Sequence, residues 1–273
     1  MARTILVLFP ALFGLLAHGE EKSWGARLEL ISEDAVIAAG QAFEVGVRIH
    51  HREGFHSYWK NPGVVGFATK IDWNLPEGFT AGPIVWPPPE LVDMAGNTTH
   101  GYQRDVLLTT TITPPAELPE KEVTLRARIA WMACADACHP GDESFSLTLP
   151  VGSKAVADPE TAPLFEQTRD EQPAPLDGWS VTLLSGIDAP EIVLQLSPAE
   201  DPPPVLESPY FFSSDGQVAD GKPSISTGEN GSLTFTFERA RFGPEGAKGL
   251  PGLIAYGPAG DRRFAVITPD PQP

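Results

Sequence analysis

Glu122-Val123-Thr124-Leu125-Arg126-Ala127-Arg128-Ile129-Ala130-Trp131 runs directly into Met132-Ala133-Cys134-Ala135-Asp136-Ala137-Cys138-His139-Pro140. In the first part the odd positions are apolar, and Thr124, Arg126 and Arg128 stand between them. A period of two marks a strand with one buried face, because successive side chains of extended backbone point to opposite sides. Phe145, Leu147, Leu149 and Val151 repeat the pattern in the stretch Ser144–Val151. The cysteines therefore flank the neck of a hairpin, with Asp136 in the spacer where the chain must turn. Parity places the odd residues Val123 to Trp131 in the core. Continued, it turns Met132 and Cys134 away from that core and leaves Cys134 within reach of solvent or a partner.

Working outward, Phe43, Val45, Val47 and Ile49 alternate in the same way, and Arg27–Ile31, Lys70–Trp73 and Val106–Ile112 are shorter strand candidates. These spacings predict an antiparallel sandwich of immunoglobulin-like type over residues 24–152. Residues 153–178 hold Asp158-Pro159, Ala162-Pro163, Gln172-Pro173 and Ala174-Pro175, and read as a linker with one short helix around Pro163–Asp170. Strand patterns resume at Trp179, Val181, Leu183; Ile192, Leu194, Leu196; Leu233, Phe235, Phe237; and Phe264, Val266. A second, smaller immunoglobulin-like domain is expected over 179–268. The fold class is thus all-β, two immunoglobulin-like β-sandwich domains in tandem. The 26 glycines and 29 prolines among 273 residues suit many short strands joined by turns.

The charge and the N-terminus narrow the setting. Lys plus Arg is 19 against 36 Asp plus Glu, a net charge of −17, so the basic footprint of a nucleic-acid binder is missing. Arg3, the apolar run Ile5 to Ala17 and the small residues Ala17 and Gly19 read as a secretory signal peptide over residues 1–19. That run is shorter than the roughly 20 residues a spanning helix needs. No other apolar run approaches spanning length, so the mature chain is expected in the periplasm or secreted, without a membrane span. There is no Gly-rich phosphate loop, no Gly-x-Ser-x-Gly elbow and no His-Glu-x-x-His.

The two cysteines carry the chemistry. A bridge closing about five residues removes little unfolded-chain entropy, roughly 2 kcal/mol, whereas one closing about 100 residues contributes nearly 5. A local bridge on a turn is a weak staple and is better suited to thiol–disulfide exchange, which depends on access and thiolate fraction. A plain structural bridge stays open as an alternative. So does metal binding, since Met132, Cys134, Cys138 and His139 are soft or borderline ligands that favour Cu(I). His139, beside Cys138, would stabilise a thiolate there when protonated. His50, His51 and His56 form a second histidine group, with His50-His51 read as a solvated strand end.

Gly54-Phe55-His56-Ser57-Tyr58-Trp59-Lys60-Asn61-Pro62-Gly63, Trp86-Pro87-Pro88-Pro89 and Gly101-Tyr102 resemble the N-terminal periplasmic region of the DsbD/ScsB-type thiol:disulfide interchange proteins. Cys134 and Cys138 followed by Pro140 match the redox pair of that region, and Pro209-Tyr210-Phe211-Phe212 extends the likeness into the second half. The resemblance implies immunoglobulin-like domains, no cofactor, and a protein-disulfide reductase-like exchange of electrons with thioredoxin-like partners. It also implies that Tyr102 lines the site and that Asp93–Thr99 is a loop capping the cysteines, with Met94 in place of the aromatic residue some relatives carry. Full-length relatives continue into a membrane domain. This chain is therefore expected to receive electrons from a separate membrane electron transporter or another redox protein. The rival readings are an immunoglobulin-like binding module with a structural disulfide and a periplasmic copper-handling protein.

Overall fold

The computed structural model describes residues 25–269 apart from 119–120, 187, 201–203, 220–222, 242, 248 and 259. The expected signal peptide, residues 1–19, lies outside the described residues. The first half contains β1 (Ala26–Ser32), β2 (Asp34–Ala38), β3 (Phe43–His51), β4 (Ser57–Tyr58), β5 (Lys70–Asn74), β6 (Thr80–Val85), β7 (Glu90–Met94), β8 (Asn97–Tyr102), β9 (Val106–Thr113), β10 (Glu122–Cys134), β11 (Cys138–Gly152) and β12 (Val156–Ala157). The helix α1 (Ala162–Asp170) follows. The second half contains β13 (Ala174–Pro175), β14 (Trp179–Leu183), β15 (Glu191–Pro198), β16 (Tyr210–Ser213), β17 (Ser224–Thr227), β18 (Leu233–Glu238), β19 (Gly252–Tyr256) and β20 (Arg263–Ile267). Among the described residues no helix is long and apolar enough to cross a membrane.

The fold is all-β, built from several sheets. In the first half a four-stranded sheet β1-β3-β9-β6 packs on a five-stranded sheet β12-β2-β11-β10-β5. Val45, Phe43 and Ile112 from one sheet and Leu125, Val123 and Leu149 from the other share one buried cluster. A third, three-stranded sheet β4-β8-β7 lies beside them. In the second half β13-β20-β19-β16 and β14-β15-β18-β17 meet through Phe211, Ile254 and Ile267 on one side and Leu194, Leu196 and Phe235 on the other. The parity of the last strand differs from expectation. Ala265 and Ile267 are buried there and Val266 is exposed, because β20 turns that face toward β14, β15 and β18.

The segment expected as a linker is docked on the first half. Asp158 Oδ1 accepts the backbone N–H of Glu160 at 2.8 Å, and proline stands in the first turn of α1, where its missing donor costs nothing. Phe165 is fully buried, and Arg169 reaches Glu33 and Glu44 at 2.7 Å each.

A correction concerns Asp93–Thr99, expected as a loop. These residues are the end of a hairpin, with Asp93 opposite Thr98 and Met94 opposite Asn97. Only Ala95 and Gly96 turn the chain, at φ 53 and 83, the left-handed values a tight hairpin turn requires. The hydrogen bonds of the β7–β8 ladder satisfy the backbone that a longer loop would leave to water.

The two halves are not separated by solvent. Tyr210, Phe212, Leu253, Ala255 and Phe264 of the second half join the first half's cluster around Trp59, Tyr102 and Trp131. His100 sits in this joint, its Nε2 3.1 Å from the Tyr210 hydroxyl and its ring 4.8 Å from that of Phe212. Asn61 Nδ2 donates to the Ser213 carbonyl at 2.7 Å.

Candidate functional site: a disulfide under a tyrosine

The β10–β11 ladder stays in register from Glu122↔Pro150 to Cys134↔Cys138. Its strongly alternating sequence leaves no other face-consistent pairing, since a slip of one residue would invert every side chain. The cysteines are thus directly opposed, Cα atoms 4.1 Å apart, and form a disulfide. Asp136 is exposed at the tip. One step down the ladder, Ala133 faces His139 and Trp131 faces Gly141. Trp131 crosses Gly141 so closely that a Cβ there would lie 2.3 Å from the indole, which explains the glycine.

Cys134 departs from expectation. It does turn away from the core side, yet it is fully buried, while Cys138 is half-buried. The cover is the segment ahead of β4. His56 donates its N–H to the Cys134 carbonyl and accepts the Cys134 N–H, both at 2.9 Å. Tyr58, two residues on, lies on the same face and donates its hydroxyl to Cys134 Sγ at 3.0 Å, with Cys138 Sγ at 3.8 Å. Tyr58 is itself buried, and burial raises its pKa, so the hydroxyl stays protonated as a donor. Gly66, at φ +88, lies against the other side of the ring, where a Cβ would stand 2.3 Å from it. The edge of Tyr58 meets the His56 ring at 5.1 Å between centroids. Burial lowers the pKa of His56, and its Nε2 is buried without a hydrogen-bond partner.

The remaining expected residues fall around this centre. Tyr102 is fully buried one strand away, opposite Ser57, and its hydroxyl donates to the Pro87 carbonyl at 2.7 Å. Met94 is half-buried at the end of β7. Alternation sends His139 to the opposite ladder face from the sulfurs, with its ring 5.9 Å from Phe55. The four copper candidates therefore do not converge. Among the described residues no group of three or more His, Cys, Asp or Glu side chains is placed to hold a metal ion. His50 is held by Asp105 at 2.6 Å and Glu29 at 3.1 Å, so the His50-His51 strand end is partnered.

Sequence reasoning missed the roles of Tyr58 and His56. The signal available was the aromatic-rich stretch Gly54–Gly63, which carries both residues but does not say which distant strand they meet.

Fold and site together define a class: an all-β protein with a local disulfide at a hairpin tip, one sulfur sealed and the other at the edge of the cover. Residues 27–150 match the family described as "Thiol:disulfide interchange protein DsbD, N-terminal". The crystal structure of the N-terminal periplasmic domain of ScsB from Proteus mirabilis matches over 93% of this chain and 97% of that one, with a TM-score of 0.65 and 16% identity. The tandem Ig repeats of Dlar match over 91% and 98% at 9% identity, but a TM-score of 0.23 gives that likeness no weight. Comparison with curated protein sequences gives no match. The family match and the disulfide together support a role in thiol–disulfide exchange.

Proposed function

We propose that the chain is an exported, periplasmic module that passes electrons between thioredoxin-like partners through Cys134 and Cys138. Its all-β fold is read as two immunoglobulin-like sandwiches in tandem, 24–152 and 179–268, joined by 153–178. The observation that carries this reading is the asymmetry of the pair, with Cys134 sealed under Tyr58 and Cys138 half-buried at the tip. In the oxidised protein a partner thiolate attacks Cys138 Sγ in line with the disulfide. Cys134 leaves as a thiolate, already bonded by the Tyr58 hydroxyl, and a mixed disulfide joins Cys138 to the partner. The partner's second thiolate then breaks that bond. The partner departs as a disulfide and this chain with its cysteine pair reduced. The reverse sequence delivers the electrons onward, with Cys138 attacking and Cys134 resolving. Met94, on the hairpin next to the strand bearing Tyr58, is the residue proposed to cap the pair.

Two measurements test this. The reduction potential of the pair is expected near −200 mV, and a value far below about −300 mV would mark an inert structural bond. Cys134→Ser is expected to abolish exchange with a thioredoxin-like protein while the chain stays folded, because the short loop contributes only about 2 kcal/mol. A variant that exchanges like the parent overturns the reading.

A further inference from the structure

His56 is a buried, titratable side chain for which the exchange just described has no use. It is 2% exposed. Its backbone is locked to that of Cys134 by two hydrogen bonds of 2.9 Å. Directly opposed residues of an antiparallel bridge project on the same face. The imidazole therefore emerges beside the Cys134 side chain, and its edge-on contact with Tyr58, which does touch Sγ, fixes it there. In the oxidised protein its Nε2 finds no partner. A buried polar nitrogen left unpaired is costly, and in a native structure it calls for an explanation, of which a redox role is one.

We propose that His56 holds the proton of the reduced pair: once the disulfide opens, Nε2 takes a proton and pairs with the Cys134 thiolate. The inference rests on the exchange reading. Two thiols of a partner supply two electrons and two protons and leave as a disulfide. One proton ends on the Cys138 thiol and the other on His56 Nε2, on the residue paired with Cys134. The pair is then neutral overall, which a closed site tolerates better than a lone thiolate. The titratable groups around His56 are Tyr58, which stays protonated, the two cysteines, and His51, whose pKa is pushed down to about 4 by burial and which is therefore neutral. None of them supplies a competing charge near neutral pH. Burial keeps His56 itself neutral while the disulfide is intact, so the proton arrives only with reduction.

The test uses the full chain reduced by a phosphine, so no partner is required. Thiolate absorbance is followed against pH in the parent and in His56→Phe and His56→Gln. The parent is expected to hold its thiolate well below the ordinary thiol pKa of about 8.5. His56→Phe is expected to raise that pKa by at least about one unit, a tenfold loss of thiolate at a given pH. His56→Gln, which keeps a donor but cannot take up the proton, should fall between them. Nitrogen NMR of the parent covers the case in which the variants fail to fold: the His56 ring should become protonated at neutral pH on reduction and not before. Coincident titrations in parent and His56→Phe, or a His56 ring indifferent to redox state, overturn the proposal. A disulfide that no thioredoxin-like protein reduces would instead defeat the exchange reading and leave this titration interpretable.

Discussion

The two halves of the chain are made of similar parts, and one of them carries the chemistry. In the second half two four-stranded sheets close on Phe211, Phe235 and their neighbours. The first half also packs two sheets, but adds the small sheet β4-β8-β7. That addition makes the site. A hairpin tip at the end of a bare sheet would leave both sulfurs in solvent, whereas here β4 and the residue just before it, His56, seal one of them. The second half in turn braces the added layer. Trp59 and Asn61 follow Tyr58 directly, and they meet Phe212 at 6.2 Å between rings and the Ser213 carbonyl at 2.7 Å. A segment too short to hold itself is fixed at one end by the sulfur and at the other by the second half.

The largest expected effect comes from removing that brace. Phe212, 2% exposed, packs on Trp59, His100, Tyr210 and Phe264. Phe212→Ala should cost about 3–5 kcal/mol in denaturant unfolding and speed reduction of the disulfide by a small thiol. Phe235→Ala, in the second half's own core, should cost a similar amount and leave that rate unchanged. Equal reduction rates in the two variants would show that the second half does not hold the cover.

Acid should loosen the same joint more gently. His100 is buried neutral against Tyr210 and Phe212, with a pKa lowered by desolvation from 6.5 to about 4 and only partly raised by its bond to the Asn61 carbonyl. Its folded pKa lies below its unfolded one, so the unfolded chain binds the extra proton first. This contribution is complete above about pH 6.5 and is lost as pH falls from there to about 4, by up to about 3 kcal/mol. His51 adds a contribution of the same sign. Unfolding curves across that window should be steeper in the parent than in His100→Gln. Identical slopes would mean that His100 is not buried neutral.

The smallest effects separate the two covers of the site. Tyr58→Phe keeps the ring and removes the bond to Sγ, so it should cost about 1 kcal/mol and change thiol reactivity more than stability. Met94→Gly should speed alkylation of the reduced pair a few-fold while partner-driven exchange changes little. If Met94→Gly alkylates at the parent rate and loses thermal stability, Met94 is a packing residue and Tyr58 alone covers the sulfurs.

What the sequence by itself determined is everything that one strand says about itself. The alternation from Val123 to Trp131 specified β10, its core face and its hairpin with β11, and with them the opposition of Cys134 and Cys138. Within the proline-rich segment one short helix was expected around Pro163–Asp170, and it is found over Ala162–Asp170. These features are local, since side-chain direction along a strand or helix follows from backbone geometry. The tertiary structure alone decided which faces are covered. Cys134 was legible as turned away from the core but not as buried, because Tyr58 and Cys134 are 76 residues apart in the chain. Asp93–Thr99 was expected as a capping loop only through the resemblance; it is the end of a hairpin in which β7 pairs with β8, and β8 in turn with β4. Phe212 gave the pattern of an ordinary strand residue, and nothing local marked it as part of the first half's core. A period of two tells which way a side chain points; only the packing of distant segments tells what it meets there.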